Sequence, residues 1–154
     1  NYGTVADNYG TVTTNSSGGT VTYNSSGGTV TYNYGTVADN YGTVTTNSSG
    51  GTVTYNGGTV TNNYGTVTTN SSGGTVTTNS SGGTVTTNYG TVTNNNGTIT
   101  NHIYGAIITH QNGTLRIGTV TGGNGNISAN ETTNLSSQTA GTNVTLPSSA
   151  LNWW

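Results

Sequence analysis

The chain has 154 residues, of which one is Lys or Arg, three are Asp or Glu and none is Cys; 27% are hydrophobic and the formal net charge is −2. That length suits one domain. A single cation cannot neutralise a run of phosphates, so charge-driven nucleic-acid binding is excluded. No apolar run is long enough to span a bilayer, and without cysteine there is neither a disulfide framework nor a thiolate metal site. Low apolarity usually signals disorder, but disorder usually brings high charge, and here charge is nearly absent. Thr and Val, which favour strands, alternate with Asn, Gly and Ser, which favour turns.

From Asn1 to His110 one phrase, Asn-x-Gly-Thr-Val-x-x, recurs fourteen times in blocks of seven or nine residues. The block lengths run 7, 7, 9, 9, 7, 7, 9 over residues 1–55, and the same order returns over 56–110. Within this duplication residues 1–23 and 33–55 are identical. Tandem copies of this kind are tolerated where each unit only stacks on its neighbour. The absence of an initiating Met leads us to expect a processed, secreted chain. The scarcity of Lys and Arg leaves few trypsin sites and suits an extracellular or cell-surface location.

Each block predicts one strand and one corner. Thr20-Val21-Thr22 is a polar, apolar, polar strand core; Asn-Tyr-Gly or Asn-Ser-Ser-Gly-Gly is the turn. One Val per strand makes a thin core that a flat sheet buries poorly and a wound coil buries well. The expected interior ladder is Val5, Val12, Val21, Val30, Val37, Val44, Val53, Val60, Val67, Val76, Val85, Val92 and Ile99. The fold class is therefore all-β, a parallel β-solenoid. Three blocks per coil give lengths of 23, 23, 23, 25 and 23 residues, and two per coil give 14, 18, 14, 16, 16, 16 and 16. The near-constant length favours three sides with about 23 residues per coil. A two-sided solenoid and an antiparallel meander are the alternatives. Equivalent residues would stack about 4.8 Å apart. Asn would then form amide ladders, Thr outward hydroxyl ladders and the corner tyrosines (Tyr2, Tyr9, Tyr34, Tyr41, Tyr64 and Tyr89) an outer stack.

After residue 94 the pattern becomes more apolar, as in Ile103-Tyr-Gly-Ala-Ile-Ile108. Residues 1–117 are assigned to the solenoid. Residues 118–154, which contain Asn143-Val-Thr-Leu146 and end in Leu151-Asn-Trp-Trp154, are assigned to a cap or a subunit-docking segment. Asn1, Tyr2, Val144, Leu146, Leu151, Trp153 and Trp154 are the assembly candidates. The first residues form an uncapped repeat, and an uncapped solenoid end templates another copy head to tail.

Chemistry has little purchase on this chain, and no catalytic, cofactor or metal site is expected. His102 and His110 sit at the two ends of one block in no metal-binding spacing, and read as replacements of Asn or Thr. Asp7 and Asp39 occupy one block position; they share a face of a two-sided coil but not of a three-sided one. Asn-x-Ser/Thr sequons offer glycosylation candidates at Asn15, Asn24, Asn47, Asn70 and Asn79, with further ones at Asn96, Asn112, Asn126, Asn130, Asn134 and Asn143.

Two resemblances follow. Pairs such as Thr20/Thr22, Thr29/Thr31, Thr52/Thr54 and Thr75/Thr77 resemble the Thr-x-Thr arrays of ice-binding β-solenoids. Asn56-Gly-Gly-Thr-Val-Thr-Asn62 and Asn95-Asn-Gly-Thr-Ile-Thr-Asn101 resemble the Asn/Gly/Thr repeats of secreted bacterial adhesins of the hemagglutinin and autotransporter-passenger kind, over residues 1–117. The second resemblance implies an extracellular β-helix for adhesion or surface structure. The expected function is a structural subunit of an extracellular filament, with itself as partner. The alternative is a monomeric ice- or glycan-binding solenoid that uses outward Thr and Tyr ladders.

Overall fold

The computed structural model describes residues 1–103 and 105–111, with the strand backbone at 114–115, 127–129 and 144–145. Its described residues form parallel strands with no helix, so among them there is no helix long and apolar enough to cross a membrane. One sheet holds β1 (Thr4–Asn8), β3 (Thr20–Asn24), β5 (Thr36–Asn40), β7 (Thr52–Asn56), β9 (Thr66–Asn70), β11 (Thr84–Asn88), β13 (Thr98–His102) and β15 (Thr114–Leu115) in that order. The other begins with β2 (Thr11–Asn15), β4 (Thr29–Asn33), β6 (Thr43–Asn47), β8 (Thr59–Asn63) and β10 (Thr75–Asn79). It continues through β12 (Thr91–Asn95), β14 (Ile107–Gln111), β16 (Ile127–Ala129) and β17 (Val144–Thr145). We call them the odd and even sheets. The chain is thus a parallel β-solenoid of about seven turns.

Strand pairing corrects the three-sided expectation. A three-sided coil pairs each strand with the third one on; here β1 pairs with β3 and β2 with β4, and so on up the stack. The antiparallel alternative fails as well, since every pairing is parallel. The physical reason lies in the width of the interior. One Val per strand fills the gap between two facing sheets, whereas a triangular lumen lined by the same small side chains would stay partly empty. From Val21 to Ile99 the inward valines and Ile99 are fully buried in one cluster, joined by Ile108, while Val5 and Val12 on the first coil are partly buried.

Near-constant coil length was a poor guide because corners absorb the difference. Asn8 and Thr11 are joined by two residues, Asn15 and Thr20 by four, yet the strand that follows starts in the same register. The two extra residues form a tight turn closed by the Gly19 N–H donating to the Ser16 carbonyl at 2.8 Å. Gly18 adopts φ 84° there, a conformation that a side chain disfavours. Corners also stack closely: a Cβ on Gly35 would run into the backbone carbonyls of Gly19 and Ser16 in the coil beneath.

The strand itself departs from strict alternation. In β9, Val67 and Asn70 both face inward, with Thr68 and Thr69 both part-exposed between them. The same pattern holds from β4 to β13 with small changes. The block's Asn, expected in the turn, is the last residue of the strand and belongs to the interior. The tail segment 118–154 contributes β16 and β17, which extend the even sheet in parallel, with a register shift between Ile108 and Gln111. Leu146, Leu151, Trp153 and Trp154 lie outside the described residues, as does the side chain of Val144.

Candidate functional site

Two buried amide ladders flank the Val stack. Along the odd sheet, Asn8 Nδ2 donates to Asn24 Oδ1 at 2.8 Å, and Asn24 to Asn40, Asn40 to Asn56, Asn56 to Asn70 and Asn70 to Asn88 follow at 2.7–2.8 Å. Along the even sheet Asn1, Asn15, Asn33, Asn47, Asn63, Asn79 and Asn95 do the same, ending on Gln111 Oε1 at 2.8 Å. Every one of these side-chain bonds donates toward the C-terminal coil. From Asn1 to Asn79 the Nδ2 group also reaches the backbone carbonyl of the Thr that opens the strand after the accepting Asn, as Asn56 does to Thr75 at 3.2 Å. A buried amide pays a desolvation penalty unless its donors and acceptor are met, and stacking identical residues at one strand spacing meets them.

The ladders also account for the glycosylation candidates. The amide nitrogens of Asn15, Asn24, Asn47, Asn70 and Asn79 are fully buried and already donate within the stack. A glycan on any of them requires breaking the coil-to-coil contact, so these sequons do not serve as sites on the folded chain. Asn96 stands at a corner and is exposed, while Asn112, Asn126, Asn130, Asn134 and Asn143 lie outside the described residues.

The odd ladder ends differently. His102 occupies the next rung, and the approach of Asn88 Nδ2 to its Nδ1 is 3.3 Å. Its Nε2 is buried with no hydrogen-bond partner among the described residues. Burial lowers the pKa of this imidazole to about 4, with the nearby Ala106 backbone opposing slightly. His102 is thus a ladder residue, and His110 is an exposed one on the opposite sheet, level with Asn94. No group of three or more metal-ligating side chains occurs among the described residues.

The outer faces are unequal. On the even sheet, Thr11/Thr13, Thr29/Thr31, Thr43/Thr45, Thr59/Thr61, Thr75/Thr77 and Thr91/Thr93 form an unbroken Thr-x-Thr array across six neighbouring strands. On the odd sheet Ala6 and Ala38 interrupt the array, and the next position reads Asp7, Tyr23, Asp39, Tyr55 on successive strands. The corner tyrosines do not form one outer stack, because four-residue corners and both edges of the sandwich separate them. Instead Tyr41, at the corner after β5, lies with its ring centroid 5.2 Å from Tyr23 and 5.8 Å from Tyr55, tilted to both. Gly57 leaves room for it: a Cβ there would come within 3.1 Å of the Tyr41 ring and 3.4 Å of Tyr55. Desolvation within this cluster, then Tyr55, Asp39 and Tyr23, raise the Tyr41 pKa and keep the phenol neutral. Asp7 and Asp39 share a face, separated by β3 and Tyr23. The Asp/Tyr alternation was present in the odd-numbered blocks, but it becomes a cluster only once the odd blocks are neighbours.

Compared with known proteins, the chain matches no family model, no curated protein and no solved structure.

Proposed function

We propose that this chain is a structural subunit of an extracellular filament, built by coil-on-coil stacking of one copy on the next. The observation that supports this reading is the invariance of the stack: from β1 to β12 the strands of each sheet set Val on Val and Asn on Asn, and β13 sets Ile99 on Val85 and His102 on Asn88. Each coil is therefore the template for the following one. A coil of the same pattern from a second copy presents the same Val and Asn rungs and so fits by the same register. Near-absence of charge removes the repulsion that would oppose the contact. The contact is heterologous and does not close, so it grows a fibre. Residues 143–154 are the proposed docking segment at the other end. Electron cryo-microscopy at micromolar concentration tests this reading: filaments with an axial repeat of about 4.8 Å support it, and their loss on deletion of residues 143–154 assigns the tail. Discrete particles one chain long overturn it.

A second reading rests on the even sheet. Its charge-free Thr-x-Thr array, repeated on six neighbouring strands, suits an ordered water lattice and supports ice binding by a monomer. Thermal hysteresis that disappears when Thr61 and Thr77 are replaced by Tyr would favour this reading over the filament.

A further inference from the structure

We infer that the odd sheet carries a binding site for an organic cation of the alkylammonium class, formed by the Asp39 carboxylate and the rings of Tyr23, Tyr41 and Tyr55. The strip is independent of the stacking ends on which the filament reading rests. Tyr23 and Tyr55 stand on the strands to either side of Asp39. Tyr41, two residues along the chain, bridges the two rings at 5.2 and 5.8 Å. Three tilted aromatic faces thus form a shallow wall beside one carboxylate.

Charge selects the ligand. Asp7 and Asp39 are the only carboxylates among the described side chains, and both lie on this strip. The chain's single Lys or Arg is Arg116, outside the described residues, and the N-terminal ammonium donates to the Thr14 carbonyl at 2.6 Å. Asp39 therefore meets no fixed cation among the described residues. An aromatic face carries negative quadrupole density, which a neutral ligand uses weakly and a cation uses well. A carboxylate among such faces adds a monopole of the same sign. A compact alkylammonium satisfies both groups together and buries its methylenes or methyls against the rings. Exposed cation–π contacts are individually weak, so affinity is on the order of millimolar.

The test is an NMR titration of the full chain, following the tyrosine ring signals, with tetramethylammonium chloride as the probe. Saturating shifts confined to Tyr23, Tyr41 and Tyr55 are expected, weakened at least about five-fold by Asp39→Asn and further by added salt. That variant is suited to the fold, since Asn62, Asn94 and Asn101 occupy the equivalent strand position. Tert-butyl alcohol, a neutral molecule of nearly the same shape, should give no saturation. The inference is overturned if the alcohol matches the cation, if Asp39→Asn leaves the affinity unchanged, or if glucose saturates the same rings where tetramethylammonium does not. The last result would make the strip a carbohydrate platform.

Discussion

The two amide ladders climb the same stack by the same rise, and among the described residues their last rungs differ in chemistry. The even ladder passes from Asn95 to Gln111, another amide, at 2.8 Å. The odd ladder passes from Asn88 to an imidazole at 3.3 Å, whose second nitrogen is left buried and unpaired among the described residues. What differs is the number of polar atoms the last rung can satisfy. An amide presents one acceptor and two donors on a single carbon, matching the rung beneath it. An imidazole splits one donor and one acceptor across a ring, so that meeting the rung beneath turns the other nitrogen into the interior. A ladder is therefore as good as its poorest rung, and the odd ladder's poorest rung is also its titratable one.

The largest way to break this comparison is to damage a rung where both ladders are perfect. Asn56→Asp keeps the shape but replaces both donors, to Asn70 Oδ1 at 2.8 Å and Thr75 O at 3.2 Å, with an acceptor. It also buries an uncompensated charge. A loss of about 3–5 kcal/mol is expected by urea denaturation at pH 7, and the same change at Asn63 should give a similar loss. A marked inequality between the two would mean that the ladders differ along their length and not just at their ends.

Acid sharpens the comparison next. The folded His102 takes its proton only at about pH 4, whereas an unfolded His takes it near 6.5. Above pH 6.5 both states are neutral and nothing is lost. Between about 6.5 and 4 the unfolded chain binds the proton and the folded chain does not, so stability falls as pH falls and levels off below about 4. At about 1.4 kcal/mol per decade the loss reaches about 3 kcal/mol. Amide hydrogen exchange should show β13 opening over this interval before β12. His102→Asn should flatten the pH dependence, and an unchanged slope would show that another group is responsible.

The smallest effect is expected at the other ladder's end. Gln111→Asn shortens an already satisfied rung, and a change within about 1 kcal/mol is expected by thermal unfolding at pH 7. A loss as large as that of Asn56→Asp would mean that the extra methylene of Gln111 holds the last coil in place.

Much of the stack could be read from the chain. Val21 and its equivalents stand between outward threonines, and one Val per strand favours a wound coil over an antiparallel meander. The side number could not be read from coil length, since a corner of two residues after Asn8 and one of four after Asn15 return the strand to one register. The place of Asn could not be read from alternation either. Asn70 lies three residues after Val67 and is still buried, with Thr68 and Thr69 both part-exposed between them. The Tyr41 cluster was out of reach for a related reason. Tyr23 closes block three, Tyr41 follows the strand of block five and Tyr55 closes block seven, and only strand pairing makes those three strands adjacent.

Two blocks to a coil has a consequence for how such a gene can grow. The exact repeat of residues 1–23 at 33–55 is displaced by four blocks, so β1 returns as β5 on the same sheet, and Asp7 and Tyr9 return as Asp39 and Tyr41 on the same side. The 55-residue duplication spans seven blocks, three and a half coils, so β1 returns as β8 on the opposite sheet. Unequal crossing-over by an even number of blocks lengthens a face, and by an odd number turns everything downstream over. In the second copy the Asp and Tyr positions of the strip, moved to the even side, read Asn62, Thr78, Asn94 and His110. Replication slippage in this chain is thus a parity operation, and the acidic, aromatic side of the rod is the part that an odd step left behind.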